Sequence, residues 1–217
     1  MSVNRTPVYA TATRGIAVPK QRSAPAPVVR DLRDRSGRSP RALLFGPGDL
    51  VVITGLPGSG KSTLMHRTVT GRRIDSQDTR DRWDARVPRF VPYALYRPLV
   101  RLALPHARLR RALRDGEGVV VHDCGTQPWV RGWLAREARR RGGTLHLLLL
   151  DVAPETARTG QRERGRRVSR YAFTRHRRTT ARLLAATERG ELPAGAGSAT
   201  LLDRAAADTL RRIDFTG

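Results

Sequence analysis

The chain has 217 residues, enough for one well-buried core with short tails, and 39% of them are hydrophobic, an adequate share for an α/β domain. Its single cysteine, Cys124, excludes an internal disulfide framework and fits a reducing cytoplasm, and no apolar run reaches the ~18 residues that a membrane-spanning helix needs. The formal net charge of +23 points to a polyanionic partner, either nucleic acid or an acidic surface.

Arginine supplies 40 of the 42 basic residues, a usage that a high-GC genome explains, but base composition does not explain why only 19 acids oppose them. The N-terminus lacks the basic-then-apolar layout of a secretory signal. The expectation is a monomeric cytoplasmic protein with no membrane span.

Residues 1–43 are rich in Pro, Ser and Arg without a sustained apolar period, so a disordered basic tail is expected there, followed by one folded domain over 44–217. The first strand is predicted at about 49–54, bounded by Gly48 and Gly55, and a helix from Gly60 to Val69 follows. A short strand is expected at Arg73–Asp75, then helical segments through Arg114. The apolar window "FVPYALYRPLVRLALP" at 90–105 is broken by prolines and arginines and is a kinked helical segment. "GVVVHD" at 118–123 is predicted as a buried strand. "PWVRGWLAREARRR" follows as an amphipathic helix with Val130, Trp133, Leu134 and Ala138 on one face. "TLHLLLLD" is the next strand, a helix starts at Pro154, and a Gly/Ala loop is expected near 193–198. "ATLLD" gives the last strand, and a final helix runs through Arg212. Strands alternating with helices imply a parallel sheet covered on both faces.

The segment "GLPGSGKST" at 55–63 satisfies the phosphate-loop pattern, and it lies between an apolar strand and a helix, where the helix N-terminus attracts phosphate. Gly55, Gly58, Ser59, Gly60, Lys61, Ser62 and Thr63 are the expected nucleotide-binding residues. The glycines let backbone N–H groups turn toward the phosphates, Lys61 reaches the β and γ oxygens, and the Ser62 hydroxyl ligates Mg²⁺. A magnesium ion held by one hydroxyl needs a carboxylate at a neighbouring strand end. Asp123, after "VVVH", suits this better than Asp151, which precedes a helix start.

Together "GLPGSGKST", "IDSQDTR", "VVVHDCGTQPWVRGWLAREARRRGG" and "LLLLDVAPETARTGQRERGRRVS" resemble the P-loop kinases of the polynucleotide-kinase and zeta-toxin-like group, often labelled AAA-type ATPases. The resemblance covers roughly residues 45–212. It implies a three-layer P-loop sandwich with a five-stranded parallel sheet of nucleotide-kinase type and a helical lid, with ATP and Mg²⁺ as cofactors and a hydroxyl as acceptor. In that group an Asp three residues before an Arg follows the second strand, the Asp serving as base and the Arg contacting acceptor phosphate. Arg80 matches the Arg, but Gln77 stands where the Asp is expected, which leaves Asp75 and Asp78 as the flanking candidates. Arg131 resembles the acceptor-side arginine, although a surface helix arginine is equally ordinary. "GQRERG" matches the lid segment, with Arg164 best placed to spread charge over the γ-phosphate and Arg162 next.

Ten arginines and one acid, Glu163, lie between Arg158 and Arg182, more than a lid needs. Arg175, Arg177, Arg178 and Arg182 form either a solvated helix face or a groove for a polyanionic acceptor. His122 and Cys124 flank Asp123 without metal-ligand spacing and are expected to pack, as are Trp129 and Trp133. Three functions remain open on the sequence: a phosphotransferase acting on a small-molecule or polynucleotide hydroxyl, an ATPase or nucleotide-dependent switch, and an ATP-regulated nucleic-acid-binding protein.

Overall fold

The computed structural model describes residues 28–35, 38–75, 111, 117–122, 128–163 and 169–216. Its centre is β3 (Leu50–Gly55), in which all six residues are buried, flanked by β5 (Val119–His122) and β6 (Leu145–Leu150). Such unbroken apolar runs belong to strands covered on both faces. β4 (Arg73–Asp75) and β7 (Ala196–Leu202) lie outside these, and β1 (Val28–Asp31) closes the far edge. The order is β1-β7-β6-β3-β5-β4, and every pairing is parallel.

Alternation along the central strands sorts the core into two layers. Val51, Ile53, Leu148 and Leu150 meet Leu64 and Met65 of α1 (Lys61–Thr68) and Ala206 and Ala207 of α5 (Arg204–Thr209). Leu50, Val52, Leu147 and Leu149 meet Leu134, Ala135 and Ala138 of α2 (Pro128–Arg140) and Leu183 of α4 (Arg170–Glu188). Each fully buried leucine or isoleucine contributes about 1.5–3 kcal/mol, so this double-sided burial holds the sheet rigid under the loops at its edge. α3 (Pro154–Glu163) packs through Ala157 against Leu56 and Phe173.

The sheet has six strands where five were expected, and the sixth comes from the stretch expected to be tail. Val28–Asp31 pairs with Ser198–Leu201, the next residue Leu32 is buried, and Arg33 bonds Asp31, Asp151 and Glu188 at 2.7 Å each. A four-residue strand amid Pro and Arg has too little apolar pattern to show in composition; its hold comes from the open edge of β7 and from these ion pairs. The Asp31 carboxyl is held below its ordinary range, first by its hydrogen bond from Arg33, and the guanidinium is raised in turn by Asp31.

The last helix also ends earlier than expected. α5 stops at Thr209, and β8 (Arg212–Phe215) pairs in parallel with β2 (Ala42–Phe45) as a separate two-stranded sheet. Burying Ile213 and Leu210 against Phe45 and Met65 outweighs continuing the helix. β7 begins at Ala196, inside the expected 193–198 loop. The expected helical segments between Asp78 and Arg114 lie outside the described residues, apart from Arg111, which is helical. No helix among the described residues is long and apolar enough to cross a membrane.

Candidate nucleotide-binding site

β3 ends in Gly55, and the loop from there to Lys61 turns into α1 with Gly58 at φ +86° and Gly60 at φ +94°. Both values lie where a side chain is strained. At Gly58 a Cβ would run into the Ala157 carbonyl oxygen and stand 2.7 Å from Gln161 Cγ, and a Cβ on Gly160 would stand 2.7 Å from the Gly58 oxygen. Helix α3, which carries the first residues of the segment expected as the lid, is therefore seated directly on the loop.

The loop is built to receive an anion. α1 has no side-chain cap at Gly60 and no acid in its first turn, so its positive N-terminal end faces the loop without a carboxylate to offset it. Ser59 is fully buried and its Oγ has no hydrogen-bond partner among the described residues, an orphaned hydroxyl that a phosphate oxygen would satisfy. Lys61 is buried, and its Nζ donates to the Gly55 and Leu56 carbonyls at 3.1 and 2.7 Å, which folds the ammonium back over the loop. Thr63 is exposed on the first turn of α1.

At the same edge of the sheet, Asp75 ends β4 and His122 ends β5 as cross-strand partners. Both are buried, and His122 Nδ1 lies 2.6 Å from Asp75 Oδ1 and 3.4 Å from Ser62 Oγ. One ring nitrogen cannot donate to the carboxylate and accept from the hydroxyl together. The short bond decides: Nδ1–H donates to Asp75, and the Ser62 hydroxyl is not held by the imidazole. A hydroxyl close to a strand-end carboxylate, here Ser62 and Asp75, is the kind of donor set that suits Mg²⁺.

Asp151, the alternative carboxylate, is committed to Arg33. Arg131 is buried on α2 rather than on the surface, and Arg162 is exposed in the last turn of α3. Asp78, Arg80, Asp123 and Arg164 lie outside the described residues.

Two residues join the site without having been expected there. His122 is a hydrogen-bonding member of the strand edge and not only a packing residue; its place beside Asp123 at a strand end was the available signal. Arg204, the first residue of α5, brings Nη1 to 2.9 Å from where a Cβ on Gly60 would stand. It sits next to the phosphate loop while remaining exposed to a ligand. Nothing local in the sequence marks it, because the contact spans the fold from β7 to β3.

A buried strand, a left-handed glycine loop, a folded-back lysine and a helix N-terminus, on a sheet with the loop strand between β5 and β6, define a P-loop nucleotide-binding protein with a kinase-like fold. The family model described as an AAA domain matches residues 50–190, and the chain belongs to that family. Among solved structures, that of the PezAT chromosomal toxin–antitoxin system of Streptococcus pneumoniae is similar at 15% identity and TM-score 0.55, covering 82% of this chain and 80% of that one. At this identity the likeness is one of fold. The APS kinase of Mycobacterium tuberculosis, solved with AMPPNP and APS, aligns at 17% identity and TM-score 0.42 over 76% of this chain and 94% of that one. A gluconokinase of Sinorhizobium meliloti aligns at 17% identity and TM-score 0.41 over 76% and 92%. No curated protein matches the sequence.

Proposed function

We propose that the protein is an ATP-dependent phosphotransferase that moves the γ-phosphoryl group to a hydroxyl acceptor. The observation that carries this reading is the convergence, at one sheet edge, of the phosphate loop and the buried Asp75–His122 pair beside Ser62. In the transfer, the acceptor oxygen forms a bond to the γ-phosphorus as the bridge to the β-phosphate breaks, and the hydroxyl proton passes to a carboxylate. Asp75 is already engaged by His122 and is 2% exposed, which suits it to holding the strand edge in place. Asp78 is then the better base, with Arg80 and Arg131 toward the acceptor.

Lys61, the Ser59 hydroxyl and the first amides of α1 bind the donor phosphates, with Arg204 beside them. Arg164 and then Arg162 spread charge from the lid. Ser62 and Asp123 would hold Mg²⁺, which would supply charge neutralisation during the transfer.

Gln77 at the position expected to carry the base favours a second reading, an ATPase that transfers to water. One experiment separates the two: ATP labelled at the γ-phosphate is incubated with oligonucleotide, nucleoside and sugar acceptors. Label on an acceptor with the native protein, and none with Lys61→Ala, is the expected result. Label released only as inorganic phosphate replaces the kinase reading with the ATPase one, and no Lys61-dependent turnover of any kind overturns both.

A further inference from the structure

We propose that the outer face of α4 binds the phosphate backbone of a polynucleotide. The inference rests on this helix and is independent of which reaction the phosphate loop performs. α4 buries Phe173, Thr180, Leu183 and Thr187. On the opposite side a groove of about 570 Å³ is lined, among the described residues, by α4 alone, and four of its residues are Arg170, Arg175, Arg178 and Arg182. All four are exposed, and none of them is in an ion pair among the described residues. Some arginines elsewhere are paired, as Arg33, Arg72 and Arg189 are at 2.7–2.9 Å from a carboxylate, while others stand singly on the surface; what sets these four apart is that they share one helix face.

The order of charge along α4 runs against helix stability. Its first turn has no acid and begins with Arg170, and its last turn has no base. A helix dipole favours the reverse by about 0.3–1 kcal/mol per charge. α3 follows the favourable order, with Glu155 in its first turn and Arg162 in its last. Arg170 stands at the positive helix end, and with Arg175, Arg178 and Arg182 along the same face it leaves a positive field that an external anion relieves.

The length of the row selects a polymer. Arg170 to Arg182 spans about 18 Å at the ~1.5 Å rise of a helix, while a nucleic-acid strand carries one phosphate per ~3.4 Å, so several phosphates are met at once. A single phosphorylated metabolite reaches one or two of these arginines. The planar forks suit phosphate oxygens, and Tyr171, 80% exposed in the same groove, offers a ring on which a base can stack. Arg177, also exposed, does not line the groove.

The test is fluorescence anisotropy of a labelled single-stranded oligonucleotide against the full chain between about 50 and 200 mM salt, the range over which phosphate contacts weaken most. Arg175→Gln/Arg178→Gln/Arg182→Gln is compared with Arg136→Gln/Arg139→Gln/Arg177→Gln, which removes the same charge from exposed positions outside the groove. The groove variant is expected to weaken binding and to flatten the plot of log affinity against log salt by about 2, at ~0.7 per phosphate contact. The control keeps the native slope, and both variants bind Mg-ATP as the native protein does. Equal losses in the two variants, or no oligonucleotide binding by the native protein, overturn the proposal. A groove variant that loses phosphatidylserine vesicles while holding the oligonucleotide normally also overturns it, in favour of an acidic membrane surface.

Discussion

Replacing Gly58 by alanine tests whether the phosphate loop and helix α3 form one unit. Two costs arise together. The backbone at φ +86° is about 1–2 kcal/mol less favourable for alanine than for glycine. The new methyl also enters the Ala157 carbonyl and stands 2.7 Å from Gln161 Cγ, so α3 must lift away, an overpacking cost of about 1–3 kcal/mol. The sum, about 2–5 kcal/mol, is set against the loop shape that binds phosphate, and its lower end already corresponds to a roughly 30-fold loss of affinity. Isothermal titration with Mg-ATP reads the affinity, and a thermal melt reads how much of the cost falls on the fold. Gly160→Ala separates the two costs, because the helical position gains about 0.8–1 kcal/mol in propensity while its methyl still presses the Gly58 oxygen at 2.7 Å. Affinity should fall in both variants, with the melt much less affected in Gly160→Ala. Native affinity in Gly58→Ala would refute the claim that α3 rests on the loop.

Arg204→Ala should lower Mg-ATP affinity by roughly 10- to 100-fold, the worth of one hydrogen bond to a charged group, and unchanged affinity in a titration would leave Arg204 as a packing residue. His122→Phe removes the Nδ1 donor 2.6 Å from Asp75 and should lower the melting temperature by several degrees, with His122→Asn, which keeps a donor, losing less; a native melt in the Phe variant contradicts the tautomer deduced here. Asp31 supplies an acid-side signature. Its carboxyl is held below the ordinary 3.8 by the Arg33 bond, so its contribution is present above that pH and is lost as pH falls through the lower folded value. The melting difference between the native protein and Asp31→Asn, present near neutral pH, should therefore shrink in strong acid, and a difference that grows there refutes the assignment.

The phosphate loop was legible because its chemistry is local: nine consecutive residues carry the glycines, the lysine and the hydroxyl, and the flanking strand and helix have distinct apolar periods. β4, three residues long, was also found in place, since "RID" precedes a change of composition. What stayed hidden depends on contacts between distant segments. Val28–Asp31 is a strand because β7 has an open edge, and Arg212–Phe215 is one because Ala42–Phe45 lies beside it. Residue patterns within either segment are too short to declare a partner. The same limit applies at the site, where Arg204 approaches Gly60 across more than 140 positions of chain and His122 acquires its role from Asp75 on a different strand.

The net charge of +23 divides into populations with different physics. Arg33 is spent inside the fold: it gathers Asp31, Asp151 and Glu188 and so ties β1 to the end of β6 and to the last turn of α4. Leu150, next to Asp151, pairs with Gly55, where the phosphate loop begins, so this cation acts through the scaffold on the loop's footing. Arg204 stands at the loop itself, and Arg131 is buried on the helix after β5. Arg170, Arg175, Arg178 and Arg182 of α4 belong to none of these groups, because they are exposed and meet no carboxylate among the described residues. A composition shaped only by base usage would scatter its surplus over exposed positions without regard to helix face. Four guanidinium groups on one face, beginning at the end of the helix where a cation is least favourable, are a feature of position, and position is what a binding surface requires.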